Sequence, residues 1–194
     1  MGTRGAYGFR VDGQDKVTYN HYDSYPEGLG EEMIGFIRQT PDSELLAIAK
    51  RLKMVDGNTA PTEKQIEQYR DKTLDLGVSG QTEHEWYCLL RDAQGRPDMW
   101  KGIVHHMIDS ASFLGDSLFC EWAYIINVDT GMLEVYKGFN ENPDAPGRYA
   151  TLSTGGNEYS GVALIDEVPF SYIRKTGTAK LIARWKKQDE EEGD

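Results

Sequence analysis

FCEWAYIINVDTGMLEVY, residues 119–136, is the stretch that decides the fold. Residues 119–128 are dense in aromatic and β-branched side chains, which suit a pleated, half-buried surface. Asp129, Thr130 and Gly131 follow, with glycine where a three-residue hairpin loop needs a left-handed residue. Residues 132–136 then return. Trp122, Tyr124 and Ile126 share one strand face, while Ala123, Ile125 and Val128 are apolar at other positions. A strand apolar on both faces is covered on both. The hairpin is therefore expected inside a sheet, carrying much of the core. Leu133 and Val135 lie on one face of the returning strand, and Glu134 and Tyr136 on the other. That strand reads as amphipathic and nearer to solvent.

Residues 4–20 read as a second hairpin. Tyr7, Phe9 and Val11 alternate with Gly8 and Arg10, and Val17 and Tyr19 keep the same period. With Val11, Asp12 and Gly13 as a three-residue loop, Arg10 falls opposite Gln14, Tyr7 opposite Val17 and Gly5 opposite Tyr19. Arg4 then lies beside Asn20. The chain start and the loop after Asn20 meet at one end of this hairpin.

Helical signals fill the space between the hairpins. Residues 29–39 carry Met33, Ile34, Phe36 and Ile37 on a helical period. Thr40 and Pro41 open a second helix, expected to run to Gly57. Thr62 with Gln65, and Thr82 with Glu85, have the spacing of capping boxes; their helices are expected to end at Gly77 and Gly95. Residues 97–106 fit a short helix. Short strands are expected at 149–152 and 161–165, and 178–187 fits helix or strand. The order of hairpin, helices, then strands points to an α+β fold. It predicts an antiparallel sheet built from an N-terminal hairpin and C-terminal strands, packed against a central group of helices. Residues 1–187 form a single domain in this scheme, and 188–194 an acidic tail.

The formal net charge of −11 disfavours nucleic-acid binding, which needs a basic face. Cys88 and Cys120 form no paired motif and sit in apolar contexts, as buried free thiols in a reducing compartment do. No apolar run approaches the ~18 residues of a membrane span, and the N-terminus lacks a signal-peptide core. A cytoplasmic protein without membrane contact is expected.

No sequence motif names a reaction. His21, His84, His105 and His106 are the only histidines and form no ligand cluster, so no metal and no cofactor is expected. STGGN, residues 153–157, lacks the lysine and spacing of a phosphate loop and reads as a turn. The functional candidate is TYNHYDSYPEGLG, residues 18–30. Its Asn, Asp, Ser, Pro and Gly content is that of a loop between a strand and a helix, a common seat of binding groups. Arg4, Asn20, His21, Asp23, Ser24 and Tyr25 are the candidate ligand-binding residues. Arg4, with its bidentate fork, points to a small polar or anionic ligand; a host protein is the other partner this surface would fit. The same residues also suit a purely structural role, with Asx turns at Asn20 and Asp23 and an Arg4–Asp23 ion pair.

The start MGTRG, the segment YNHYDSYPEGLG and the hairpin EWAYIINVDTGMLEVYKG together resemble an uncharacterised protein family of phages, bacteria and larger viruses. That resemblance implies a shared fold and a viral or phage-type origin, with no assigned activity; the role expected of the chain is that of an accessory or ligand-binding protein. The N-terminal strand, hairpin and Asn-x-x-Asp segment also loosely resemble the opening of N-terminal-nucleophile hydrolases. This second resemblance implies Thr3 as nucleophile, supported by Asn20 and Asp23, and requires removal of both Met1 and Gly2.

Overall fold

Five strands hydrogen-bond in the order β2-β1-β5-β6-β7 in a computed structural model that describes residues 2–154, 156 and 158–191. They are β1 (Gly5–Val11), β2 (Gln14–Asn20), β5 (Trp122–Asn127), β6 (Met132–Lys137) and β7 (Ala163–Pro169). A separate parallel pair joins β3 (Lys53–Val55) to β4 (His106–Ile108). The helices are α1 (Glu31–Gln39), α2 (Asp42–Arg51), α3 (Glu63–Tyr69), α4 (Trp86–Leu89), α5 (Phe170–Ile173) and α6 (Thr178–Glu191). The chain is thus α+β, as its sequence order implies. One junction departs from the expected antiparallel sheet: β1 and β5 run parallel, so the sheet is mixed.

The central hairpin holds its expected place. Every residue of β5 is buried, with β1 on one side and β6 on the other. Tyr7, Phe9, Trp122, Tyr124, Ile126, Leu133 and Val135 face a core completed by α1, α2, α5 and α6. Ala6, Val17, Ala123, Ile125 and Tyr136 face a smaller core under the loops that carry Leu114, Tyr149 and Val162. β6 is the correction. It is interior, because β7 covers its outer edge, and Glu134 is buried. That carboxylate accepts from Asn127 Nδ2 at 2.6 Å and Tyr136 Oη at 2.9 Å, and pairs with Arg148 at 2.6 Å. Partners supplied from beyond the strand make the burial of a charge tolerable.

The loop of the first hairpin begins one residue later than expected, with Val11 still paired to Gln14. The loop is Asp12-Gly13 alone, with φ of +52° and +74°, the two left-handed positions of a type I′ turn. The Asp129 carboxylate from the other hairpin accepts the N–H groups of Asp12 and Gly13 at 2.8 and 2.9 Å. Tyr7 therefore pairs with Thr18 and Gly5 with Asn20. A shift of one residue moves every side chain of β2 to the other face. Val17 joins the smaller core, and Lys16 reaches the end of α2, donating to Ala49 O at 2.8 Å and Leu52 O at 2.6 Å.

Several helices are shorter than their sequence patterns. α2 stops at Arg51 and α3 at Tyr69. The Thr62–Gln65 capping box forms; at Thr82 only its second half does, the Glu85 carboxylate accepting from the Thr82 N–H and hydroxyl, and one turn of α-helix follows, leading into a 3-10 turn at Arg91–Ala93. Residues 97–106 supply a 3-10 turn, Pro97–Lys101, and no α-helix. Residues 149–152 form a turn where a strand was expected. α6 continues to Glu191, into the acidic segment 188–194, whose last three residues lie outside the described chain, as do Gly155 and Asn157 of the 153–157 turn. Cys88 and Cys120 are free and buried. No helix among the described residues is long and apolar enough to cross a membrane.

Candidate functional site

The loop after β2 is built by its own polar groups. Asn20 is buried, and its amide nitrogen donates to Tyr22 O and to Ser24 Oγ, the latter at 2.8 Å. Ser24 is fully buried, and its N–H donates to Thr3 O at 3.0 Å. The chain start and the loop meet as expected, despite the changed register. Asp23 is left-handed at φ +52°, which turns its carbonyl under the next segment, where it accepts the Leu29 N–H at 2.8 Å. Gly28 passes so close that a Cβ there would stand 2.0 Å from Asp23 O. Pro26–Gly30 then forms one π-helical turn leading into α1, a form that recurs at functional sites.

Tyr22 projects from this loop, 56% exposed, and divides two depressions. The first is a cleft of about 640 Å³ between residues 20–32 and the segment 91–96. Asp23, Glu27, Glu31, Glu32, Asp75 and Asp92 line it, with Arg91 and Arg96. Lys186 pairs with Glu27. Arg91 is engaged by Asp75 at 3.1 Å and by the hydroxyls of Tyr87 and Tyr22. Asp23, Glu31, Glu32 and Asp92 have no ion-pair partner among the described residues. The 91–96 wall is held by Tyr7, whose buried hydroxyl donates to Ala93 O at 3.1 Å and accepts the Gly95 N–H at 3.0 Å.

The second depression, about 590 Å³, is lined by Gly2, Thr3, Arg4, His21, Tyr22, Glu121 and Phe139. The Arg4 guanidinium lies 5.0 Å from the centre of the Phe119 ring, and no carboxylate among the described residues pairs with it. Phe139 and Phe119 are 46% and 43% exposed. Phe139 has φ +56°, a conformation rare for a bulky side chain. It is kept there by the bond from its N–H to Ser117 O at 2.7 Å. His21 Nδ1 accepts from Tyr19 Oη at 2.7 Å, and its backbone N–H reaches Gln94 Oε1 at 3.2 Å. Burial, then the charges of Arg91 and Arg4, lower its pKa below the usual imidazole range. Neutral His21 accepting at Nδ1 is the matching tautomer. Burial pushes Tyr19 up to about 12, keeping it a donor.

The six candidate residues therefore separate. Arg4 and His21 line the second depression, while Asn20 and Asp23 line the cleft. Ser24 is internal, and Tyr25 serves through its carbonyl, which accepts the Gly28 N–H at 3.0 Å. The Arg4–Asp23 ion pair does not form among the described residues. The sequence reading missed the wall 91–96, Glu121 and Phe139, which arrive from distant chain segments. The one local hint was Phe139 between Gly138 and Asn140, an aromatic in turn-like company. No family model, curated protein or solved structure matches this chain.

Proposed function

We propose that this is a phage-type accessory protein that works by binding a ligand, and that its recognition surface is the edge where Thr3 and Arg4 meet the loop of Asn20, His21 and Tyr22. The observation that carries this is Arg4: its backbone N–H donates to Glu121 Oε1 at 3.3 Å, but its guanidinium has no carboxylate partner among the described residues and lies in a hollow flanked by exposed aromatic side chains. Guanidinium N–H groups supply paired donors for an anion, and the rings of Tyr22 and Phe139 offer faces to stack on. The left-handed Phe139 supports the same reading, since backbone strain of this kind clusters at ligand sites. The ligand is a small anion with a flat group, as in a nucleotide or an aromatic carboxylate. Calorimetry against a panel of nucleoside phosphates and aromatic carboxylates tests this. A charge-assisted hydrogen bond is worth about 1.5–3 kcal/mol, so Arg4→Ala is expected to weaken the best binder by roughly tenfold or more. Equal affinity in Arg4→Ala would remove this surface as the site.

Thr3 lines the same hollow, which favours one second reading, an N-terminal-nucleophile amide or ester hydrolase. It needs Thr3 as the first residue of the mature chain. Intact mass decides it: a chain that keeps Gly2 cannot act this way.

A further inference from the structure

His21 is fixed from three directions. Tyr19 Oη donates to its Nδ1 at 2.7 Å, the Tyr22 ring stands nearly perpendicular to it with 4.3 Å between centroids, and its backbone N–H reaches Gln94 Oε1 at 3.2 Å. The Tyr19 hydroxyl has no other acceptor among the described residues, and burial pushes its pKa up to about 12, so its proton is directed at Nδ1. A neutral imidazole that accepts at Nδ1 carries its own proton on Nε2. Nε2 has no partner among the described residues, and His21 lines the hollow beside Thr3 and Arg4. Burial and the charges of Arg91 and Arg4 lower the His21 pKa, so above the ordinary imidazole range Nε2–H is a neutral donor in a positive field. Glu121 is the one carboxylate among the lining residues, and its Oε1 is turned to the Arg4 backbone N–H at 3.3 Å. A guanidinium fork presents two parallel N–H groups, which match two oxygens of an anion. A third N–H from a separate side chain matches the third oxygen of a tetrahedral head group, which a carboxylate lacks. The hollow, about 590 Å³, falls within the range of small-molecule sites.

We propose that His21 is the specificity-determining residue of this hollow: Arg4 holds two oxygens of the head group and His21 Nε2–H takes a third, which selects a small phosphate monoester bearing a flat ring over a carboxylate bearing the same ring. The inference rests on the reading of the hollow as an anion site, and adds the class of anion.

Phenyl phosphate, phenyl sulfate and benzoate share one ring and differ in the head group; the sulfate separates the third oxygen from the second charge. They are titrated by calorimetry into the full chain at constant ionic strength and about pH 8, above the imidazole range. Phenyl phosphate and phenyl sulfate are expected to bind roughly tenfold or more tighter than benzoate, the gain of one hydrogen bond to a charged group. His21→Asn keeps an oxygen to accept from Tyr19 but has no donor at the position of Nε2, and is expected to bring the three ligands nearly level. His21→Gln carries an amide N–H to about that position and is expected to keep most of the preference. Circular dichroism checks that both variants fold. Arg4→Ala is expected to weaken all three ligands. A preference that survives His21→Asn, or an equal loss of preference in His21→Asn and His21→Gln, would overturn this inference and leave the anion site standing. So would Arg4-dependent binding without preference in the unaltered chain. Binding of none of the three, or binding unchanged in Arg4→Ala, would overturn the anion reading and this inference with it.

Discussion

The cleft and the Arg4 hollow share Tyr22 as a wall, yet they are tied to the fold in different ways. The cleft is framed by groups that also hold the chain together: the Asn20 amide, the Asp23 carbonyl under Gly28, and the Tyr7 hydroxyl behind residues 91–96. The hollow is framed by side chains that the fold scarcely uses: Arg4, Tyr22, Phe119 and Phe139 are all exposed. A surface whose polar groups are spent on structure reveals little of its function through stability. A surface with unspent groups reveals more, because nothing else accounts for them. Substitutions in the two regions should differ accordingly.

The largest effect is expected at Gly28→Ala. The new Cβ would meet Asp23 O at 2.0 Å, and the carbonyl that must move is bonded to Leu29 N–H. A loss of about 3 kcal/mol, the upper part of the usual range for overpacked sites, is expected in denaturant unfolding. Next is Tyr7→Phe, which leaves the Gly95 N–H unpaired and removes one of the two donors to Ala93 O, which keeps the Arg96 N–H at 3.2 Å; about 2 kcal/mol is expected. Faster hydrogen exchange confined to 91–96 would show that the cleft wall has loosened. Tyr124→Phe should act in the opposite direction. Its hydroxyl is buried beneath Gly30 and has no partner among the described residues, so its removal should raise stability by about 1 kcal/mol. Arg4→Ala, in the hollow, should change stability by less than about 0.5 kcal/mol, as surface positions do. A large loss there would make Arg4 a structural residue and dissolve the contrast.

His21 sharpens the comparison through pH. Its folded pKa is lowered by burial, Arg91 and Arg4, so below the ordinary value of about 6.5 the unfolded chain binds more protons than the folded one. The stability tied to neutral His21 is therefore full above that value and is lost as pH falls through the window beneath it. Arg4→Ala removes one positive neighbour, so the His21 midpoint in an NMR titration should move upward. An unchanged midpoint would place Arg4 too far away to act with His21 on one ligand.

What was legible in the sequence follows physical range. The central hairpin could be read because a run such as Trp122–Asn127, apolar at almost every position, has few other places to be. The meeting of Thr3 with Ser24 could be read because a hairpin returns the chain to its start. The register was missed by one residue because Asp12-Gly13 fits both a three-residue loop and a type I′ turn. The deciding contact, the Asp129 carboxylate, comes from more than a hundred residues away. Glu134 looked solvent-facing for the same reason, since Asn127 and Arg148 become its partners only when the sheet assembles. The site divided likewise. Arg4, Asn20, His21 and Asp23 are local in sequence, whereas Glu121, Phe139 and residues 91–96 are brought in by topology.

If the Asn20–Tyr22 loop and its neighbours form the recognition surface, a bound anion perturbs their amides first. The most direct measurement is amide chemical-shift mapping on isotopically labelled protein, titrated with the best anion from the calorimetric panel. Shifts are expected to concentrate at Arg4, His21, Tyr22 and Phe139 and to vanish in Arg4→Ala. Shifts centred elsewhere, or unchanged in Arg4→Ala, would contradict it.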